Sequence, residues 1–292
     1  MNLYSAKEMT ALLERHDFFF KKNLGQNFLM NEAVSHRIAS SSRETLPQDE
    51  KTLAIEIGPG AGSLTIQLSK LFTKVLALEI DPHLIGVLKE SLSECGNVTV
   101  VNTDALKFDL QSIKENYPDY KIAVCSNLPY YITSEMIMRL LESDLPIASI
   151  TVLIQKEAAM RLSAKPGEAN YGSICASVSY YAKAQRLFQV GPGNFVPKPK
   201  VDSSVLQLIP YETPPVSVAD KDLFFKLIKA AFLNRRKVLS NTLFPVVQDD
   251  LTKEELMKIM TSVGIDPQRR GETLSLDEFA KLCDVLKNIE RT

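Results

Sequence analysis

Short apolar runs alternate with helix-like segments from about residue 52 to residue 211 of the chain. The runs are rich in Val, Ile and Leu and lack strict polar alternation, which is typical of strands buried on both faces of a parallel sheet. Five runs fit this description: TLAIEI (52–57), KVLALEI (74–80), NVTVV (97–101), KIAVCSN (121–127) and SITVLIQ (149–155). The alternation predicts an α/β domain of Rossmann-like type, with helices on both sides of the sheet.

The pattern changes after the fifth run. Two stretches, AQRLFQV (184–190) and SSVLQLIPY (203–211), indicate an antiparallel pair that closes one edge of the sheet. A Pro-Pro pair follows Thr213 and makes a stiff connector, because proline can neither continue a helix interior nor donate to a strand ladder. We therefore predict a first domain at 1–213 and a second at 214–292.

The predicted second domain has helical periodicity throughout. Apolar residues recur at helical spacing along DKDLFFKLIKAAFLNRRKVLSNTL (220–243), and they trace one face as far as Val238. Two further helices are predicted to begin at capping boxes. The pairs are Thr252 with Glu255 and Ser275 with Glu278. The chain is thus expected to end in a small all-helical domain.

Composition and charge narrow the classes of function. With 292 residues, 45% of them hydrophobic and 24% charged, the chain is predicted to be globular with a substantial core. It has no window of about 18 apolar residues and no signal-peptide pattern, so we predict no membrane segment and a cytoplasmic location. A net charge of −1 means that any nucleic acid must meet a local basic patch. The four cysteines are far apart and predict reduced thiols without a metal site.

A glycine turn follows the first predicted strand and opens a helix. Gly58, Gly60 and Gly62 allow the backbone to bend sharply and a ligand to approach its N–H groups. Glu79 ends the second strand, where its carboxylate can accept hydrogen bonds from both hydroxyls of a ribose. The spacing E-x-G-x-G-x-G, which starts at Glu56, differs from the dinucleotide fingerprint. It suits a ligand without phosphate, such as S-adenosylmethionine.

A further acidic residue, Asp104, follows the third strand, where it could accept a hydrogen bond from an adenine amine. Asp104 and Glu79 both follow the carboxyl ends of strands, the edge at which open α/β sheets bind ligands. The alternative interpretation is that both residues cap helices or complete turns.

The sequence Asn127-Leu128-Pro129-Tyr130 follows the fourth strand and faces the same edge. The exocyclic amine of adenine is a poor nucleophile because its lone pair is conjugated with the ring. The Asn127 amide oxygen and the Leu128 carbonyl could accept its hydrogens, with Pro129 fixing the backbone. That would favour a tetrahedral nitrogen aimed at a sulfonium methyl group, which is catalysis by positioning. Tyr130 would stack on the extruded base, and Tyr131 is assigned to packing.

The loop NFVPKPKVD adds an aromatic residue and two lysines. Phe195 could sandwich the base with Tyr130, while Lys198 and Lys200 meet phosphates. The alternative for Phe195 is a core residue of a proline-rich hairpin. The other basic residues predicted to contact RNA are Lys22, Arg235, Arg236 and Lys237. For each basic group alone, the alternative is a solvated surface.

Taken together, the motifs resemble the ribosomal RNA adenine dimethyltransferase family, in particular its bacterial small-subunit branch. They are KKNLGQNFL (21–29), EIGPGAGSLT, ALEIDP, NTDALKFD, NLPYYIT, FVPKPKVDSSV and LNRRKVLSNTL, in this order over nearly the whole chain. The resemblance implies that Asn27 and Leu29 contact S-adenosylmethionine beside the residues named above. One departure is Tyr131, where many relatives have Asn.

The resemblance also implies a reaction and a partner. Methyl groups would be transferred twice to each of two adjacent adenosines in the hairpin near the 3′ end of small-subunit ribosomal RNA. The expected partner is that RNA or an immature 30S particle, and the protein is expected to act as a monomer.

Three alternatives remain open. The first is a large-subunit adenine methyltransferase of the antibiotic-resistance type, against which the helical tail argues. The second is a non-catalytic RNA-binding assembly factor, against which the intact Asn127-to-Tyr130 motif and Glu79 argue. The third is a DNA adenine or protein glutamine methyltransferase, and the basic run in the tail favours structured RNA over either substrate.

Overall fold

The computed structural model describes residues 1–21, 24–234 and 236–289. The chain forms two compact units. The first is Met1–Ala159 with Ala184–Pro210, and the second is Met160–Lys183 with Tyr211–Thr292. The chain passes from one unit to the other three times, and the predicted boundary after residue 213 lies close to the third passage, between Pro210 and Tyr211. The predicted first domain differs from the structure at Met160–Lys183, because Tyr171, Cys175 and Tyr180 are buried in the apolar core of the second unit.

The strands confirm a Rossmann-like sheet. In chain order they are β1 (Phe28–Leu29), β2 (Thr52–Ile57), β3 (Lys74–Glu79), β4 (Val98–Asn102), β5 (Lys121–Asn127), β6 (Ile147–Gln155), β7 (Ala182–Val190), β8 (Phe195–Val196) and β9 (Ser203–Pro210). Seven of them form one sheet in the order β4-β3-β2-β5-β6-β9-β7. Strands β2 to β6 pair in parallel, and β9 pairs antiparallel with β6. Strands β7 and β9 therefore lie together at one edge of the sheet, as the sequence predicts.

Helices flank the sheet and make up most of the second unit. In chain order they are α1 (Ala6–Arg15), α2 (Glu32–Arg43), α3 (Ser63–Leu71), α4 (His83–Ser91), α5 (Gln111–Asn116), α6 (Thr133–Leu141), α7 (Lys156–Leu162), α8 (Ser173–Tyr181), α9 (Lys221–Leu233), α10 (Leu239–Val247), α11 (Lys253–Ser262) and α12 (Leu276–Ile289). Within the described ranges, none of them combines the length and the apolar character that crossing a membrane requires.

Strand β2 is buried at all six positions because it lies between β3 and β5 under flanking helices. One apolar cluster joins these layers. It includes Ile38, Ala54, Leu68, Val75, Ala123 and Leu153. The burial explains why the predicted strand has no polar alternation. It also means that the carboxyl ends of β2, β3 and β5 are held side by side in a fixed register.

The second unit departs from the predicted helical periodicity at one point. The face expected to continue through Val238 is interrupted, since α9 ends at Leu233 and Val238 is the N-cap of α10. The chain reorients there because the Leu239 N–H donates to the Arg269 carbonyl, with 2.7 Å between nitrogen and oxygen. The Ser240 N–H likewise donates to the Pro267 carbonyl.

The two predicted capping boxes are confirmed. The Glu255 N–H donates to Thr252 Oγ1, and the Thr252 N–H donates to Glu255 Oε2. Ser275 and Glu278 make the same reciprocal pair of bonds at the start of α12.

A short strand pair was not apparent in the sequence. β1 pairs antiparallel with β8, which places Leu29 opposite Phe195 and Phe28 opposite Val196. Phe28 also packs in an aromatic group with Phe18 and Phe20. The N-terminal segment is therefore tied to the sheet domain on the side where β2, β3 and β5 end.

Candidate active site

A cleft opens at the carboxyl ends of β2, β3 and β5, and it encloses about 710 Å³, including the part open to solvent. Besides Leu84 of α4, its walls come from four segments of the first unit. They are the N-terminal stretch 24–29, the region 56–64 around the glycine turn, the end of β3 with Glu79 and Ile80, and the turn 127–131 after β5. The sequence predicted that the second, third and fourth segments meet at this edge, and the structure brings them together.

The glycine turn adopts the backbone conformation that its sequence predicts. Gly58, Gly60 and Gly62 all have positive φ, at 68°, 60° and 98°, a region that side chains with a Cβ rarely adopt. A Cβ on Gly60 would also lie 2.8 Å from the Phe28 ring. The Gly60 N–H donates to Glu79 Oε2 across 3.4 Å, so the turn and the end of β3 are joined directly.

Glu79 is almost fully buried, with 3% of its surface exposed. Its second oxygen, Oε1, accepts from the Asp81 N–H at 2.8 Å. Burial raises the pKa of Glu79 to about 7, an effect that the hydrogen bonds from the Asp81 and Gly60 N–H groups offset only in part. The carboxylate is therefore fixed in orientation at the cleft wall and needs further donors to be fully stabilised.

Glu56 is a second buried carboxyl group in the cleft. It is 1% exposed, and among the described residues its Oε2 has no hydrogen-bond partner. Burial, together with the nearby charge of Glu79, raises its pKa to about 8, and the neighbouring Thr65 side chain offsets this rise only in part. A buried acceptor without a partner is costly unless a ligand supplies a donor or a positive charge. A donor or a cationic group of a ligand could therefore satisfy Glu56 Oε2, a possibility that the sequence did not reveal.

Glu56 should make the free protein less stable as the pH rises. Its pKa is higher in the folded than in the unfolded state, so its contribution is present below about pH 4.5 and is lost as the pH rises through about 8. A rise of the pKa from 4.5 to about 8 corresponds to at most about 5 kcal/mol, since one pKa unit is about 1.4 kcal/mol, so Glu56→Gln should exceed wild type in unfolding free energy by about 3–5 kcal/mol at pH 8.5. At pH 4.5 the difference should be small.

Urea titrations at the two pH values would measure these free energies. Glu50→Gln is the matched control, since Glu50 is an exposed carboxylate that pairs with Lys121 at the surface. An equal effect of Glu56→Gln at both pH values would contradict the assignment of a raised pKa.

The turn after β5 presents the predicted motif to the cleft. The Asn127 Nδ2 donates to the Asn27 carbonyl across 2.9 Å, and the Leu128 N–H donates to the Leu153 carbonyl. Because the Asn127 amide nitrogen is engaged with Asn27, its Oδ1 is the atom left to accept from a ligand. The Pro129 ring lies against the glycine turn, 3.6 Å from where a Cβ on Gly58 would be.

The aromatic residues are arranged differently from the prediction. Tyr130 lines the cleft as expected, and its hydroxyl lies 3.1 Å from Ser203 Oγ. Tyr131, which was assigned to packing, is 54% exposed and also lines the cleft, because the chain turns outward after Pro129. Phe195 is 3% exposed and lies outside the cleft wall, since β8 places it in the core beside Leu29. The core interpretation considered for Phe195 is what the structure shows.

The remaining cofactor candidates lie in two places. Asn27 and Leu29 line the cleft with Gly58 and Gly60. Asp104 lies outside the lining, and its Oδ1 accepts from the Leu106 N–H in a turn after β4. It is nevertheless close to the mouth, because its charge contributes to the raised pKa of Tyr131, which is caused mainly by burial.

The predicted RNA-contacting residues are distributed over both units. Lys198 and Lys200 are exposed after β8 in the first unit. Arg236 and Lys237 are exposed between α9 and α10 in the second unit. Lys22 and Arg235 lie outside the described residues. The exposed side chains are available to an anionic partner.

Comparisons with known proteins identify the family. Residues 17–287 match the model of the family described as "Ribosomal RNA adenine dimethylase". A "Ribosomal RNA small subunit methyltransferase A" of Staphylococcus haemolyticus is 45% identical over 281 residues, covering 95% of this chain and 94% of the relative. The protein of the same name from Anoxybacillus flavithermus is 45% identical over 278 residues, covering 94% and 93%.

Solved structures show the same fold. A dimethyladenosine transferase from Plasmodium falciparum has a TM-score of 0.76 at 23% identity, with 90% of this chain and 98% of that chain covered. The 23S rRNA methyltransferase ErmE has a TM-score of 0.68 at 23% identity, with 89% and 100% covered. At this level of identity the two structures support the fold alone.

Proposed function

Because the chain belongs to the ribosomal RNA adenine dimethylase family, we propose that its cleft holds S-adenosylmethionine beside an adenosine of small-subunit ribosomal RNA. The protein is an rRNA adenine dimethyltransferase. The observation that carries the assignment to this cleft is that Glu79 and the Asn127-to-Pro129 turn line it together. The carboxylate proposed to accept from the ribose and the two oxygens proposed to accept from the amine therefore belong to residues of the same cleft.

The residues of the cleft fit S-adenosylmethionine. The cofactor supplies an electrophilic methyl group on a positively charged sulfonium. Glu79 would accept from the ribose hydroxyls, which gives its buried oxygens the donors that they need. Glu56, whose Oε2 has no partner among the described residues, would face the positive charge of the amino acid end. The glycine turn would leave backbone N–H groups accessible, and Asn27, Leu29 and Asp104 would complete the site.

The acceptor half of the cleft acts by positioning. Asn127 Oδ1 and the Leu128 carbonyl would accept the two hydrogens of the adenine amine, and Pro129 keeps that backbone fixed. Two acceptors on one side favour a tetrahedral nitrogen whose lone pair points away from them. No general base is required, since the amine becomes strongly acidic once it is methylated. Tyr130 would stack on the base, which must leave its own stack to enter the cleft.

The target is proposed from the relatives. Both curated proteins named above carry "small subunit" in their names. We therefore propose the two adjacent adenosines in the 3′-terminal hairpin of small-subunit RNA as substrate, the immature 30S particle as partner, and the cytoplasm as the place of reaction. Action as a monomer belongs to the same proposal.

The exposed basic residues of the second unit are proposed to contact RNA phosphates. Arg236→Ala combined with Lys237→Ala should weaken RNA binding about tenfold near 0.1 M salt. Because each phosphate contact contributes about 0.7–0.9 to the dependence of log K on log salt, the slope should fall by about 1.5. Filter binding over a range of salt concentrations measures both quantities.

A matched control is Lys258→Ala combined with Lys281→Ala, which removes two exposed lysines from the same unit. This control should leave the slope unchanged. If the Arg236 and Lys237 variant kept the wild-type slope, these side chains would be excluded from the RNA contact.

A transfer assay on three substrates tests the proposed function. Labelled S-adenosylmethionine would be offered with immature small subunits, large subunits and plain DNA. Label confined to small subunits supports the proposal. Label in large subunits would indicate the resistance-type reaction, and cofactor binding without transfer to any substrate would indicate an assembly factor.

A further inference from the structure

A segment of the N-terminal region forms one wall of the cleft, and we name Lys21 with Leu24–Leu29 the strap. All of 24–29 line the cleft. The end of the strap is anchored by the pairing of β1 with β8 and by the Phe28 ring. Lys21 and residues 24–27 precede this strand pair in the chain, so the pairing does not hold them in place.

Asp81, just after β3, provides an attachment for this part of the strap. Lys21 Nζ donates to Asp81 Oδ1 at 2.9 Å, and Gln26 Nε2 donates to Asp81 Oδ2 at 3.0 Å. The His83 N–H donates to Oδ1 at 3.1 Å. The Asp81 side chain is fully buried, whereas Lys21 is 39% exposed. A buried carboxylate that loses its donors is strongly destabilised, so these contacts hold the strap more firmly than a surface ion pair would.

Gln26 is itself held in the orientation that this contact needs. Its Oε1 accepts from the Lys21 N–H at 2.7 Å, so its Nε2 points toward Asp81. Although burial by itself raises the pKa of Asp81, the bonds from Lys21, Gln26 and His83 outweigh it and lower that pKa. Asp81 is therefore a carboxylate at neutral pH.

The same residue is linked to both halves of the cleft. The Asp81 N–H donates to Glu79 Oε1, which belongs to the cofactor half. In the strap, the residue after Gln26 is Asn27, whose carbonyl accepts from Asn127 Nδ2 in the acceptor half. A continuous path thus runs from Glu79 through Asp81 and the strap to the amide of Asn127.

We propose that Asp81 is a positioning residue, which holds the strap against the cleft and thereby orients Glu79 and Asn127 together. The inference rests on the proposed function of the cleft. Asp81 is not among the residues that line the cleft, so it would act through Lys21 and Gln26. Loss of its charge should release the strap, weaken cofactor binding and disorient the Asn127 amide.

The test compares three variants: one that removes the Asp81 charge, one that exchanges the two contacting groups, and one control. Asp81→Asn removes the charge that Lys21 and Gln26 share. Asp81→Asn with Gln26→Glu exchanges amide and carboxylate across the same contact, and it keeps a partner for Lys21. Asp109→Asn is the matched control, because Asp109 also accepts from a backbone N–H two residues on but makes no bond to the strap.

Two measurements on the full chain separate the possibilities. Hydrogen exchange of the amides of 24–29, without ligand, should become about tenfold faster in Asp81→Asn, while α12 exchanges as in wild type. The dissociation constant of S-adenosylmethionine, by equilibrium dialysis, should rise about tenfold. The exchange variant should recover both values to within about threefold of wild type, and Asp109→Asn should change neither.

Unchanged strap exchange in Asp81→Asn would overturn the proposal, and so would failure of the double variant to recover. A failure of the proposed function looks different. In that case wild-type protein would bind no S-adenosylmethionine, while the hydrogen-exchange comparison between variants would still report on Asp81.

Discussion

Asn127→Ala is expected to lower kcat for methyl transfer by about 10²–10³-fold, the size of effect seen when one preorganised polar contact is removed from a transition state. The substitution deletes the Oδ1 acceptor that would hold the adenine amine, while Glu56 and Glu79 remain in place. The dissociation constant of S-adenosylmethionine should therefore rise by less than about tenfold. Single-turnover rates and equilibrium dialysis measure the two effects separately.

Asn116→Ala is the control for this prediction. Asn116 is exposed in α5, and its side chain bonds only to the Ser112 carbonyl among the contacts of the described residues. It should leave both the rate and the dissociation constant unchanged. Near-normal turnover of Asn127→Ala would show that positioning of the amine by this side chain is not the source of catalysis.

Glu79→Ala is expected to weaken the binding of S-adenosylmethionine, whereas Asn127→Ala mainly slows methyl transfer. The carboxylate would accept two hydroxyl hydrogens, and it also accepts from the Gly60 and Asp81 N–H groups. Hydrogen bonds to a charged group contribute about 1.5–3 kcal/mol each, so the dissociation constant of S-adenosylmethionine should rise at least about 100-fold. Isothermal titration calorimetry would measure it directly.

The result for Glu79 is checked against Glu50→Ala, which removes an exposed carboxylate of the same unit. This variant should bind the cofactor as wild type does. At saturating cofactor, Glu79→Ala should retain a larger fraction of kcat than Asn127→Ala. If cofactor affinity stayed within about threefold of wild type, Glu79 would not be the ribose-binding residue.

The sheet and its ligand-binding edge could be predicted because their signals are local. The run 52–57 is apolar at four of six positions, begins with a β-branched Thr and is buried throughout, so its composition indicates a central strand. The glycines that follow it have the positive φ angles that their residue type permits. Glu79 and Asn127 then follow from position, since each ends a parallel strand next to β2.

The contacts that join the segments of the cleft could not be predicted in the same way. Lys21 and Asp81 are 60 residues apart, and Asn27 and Asn127 are 100 apart. No spacing rule connects such pairs, because the fold brings them together. Glu56 had a local signal, as an acidic residue in an otherwise apolar strand, but its missing partner is visible only in the structure.

The exposure of aromatic residues was also decided by tertiary structure. Tyr131 and Phe195 both lie near prolines; the sequence assigned Tyr131 to packing, which is wrong, and left Phe195 open between a base contact and the core. Strand β8 draws Phe195 into the core through its pairing with β1, whereas the turn after Pro129 leaves Tyr131 at the cleft mouth. The interruption between α9 and α10 has a similar origin, in carbonyls supplied by residues 267 and 269.

The most direct test of the account is the identity and position of the product. Immature small subunits would be methylated with labelled S-adenosylmethionine, and nucleosides from the 3′-terminal fragment of their RNA would be separated and weighed by mass spectrometry. Dimethyladenosine is expected at two adjacent positions of that fragment with the wild-type protein, and it should be absent when Asn127→Ala is used. Monomethylated bases only, or label outside the fragment, would contradict this expectation.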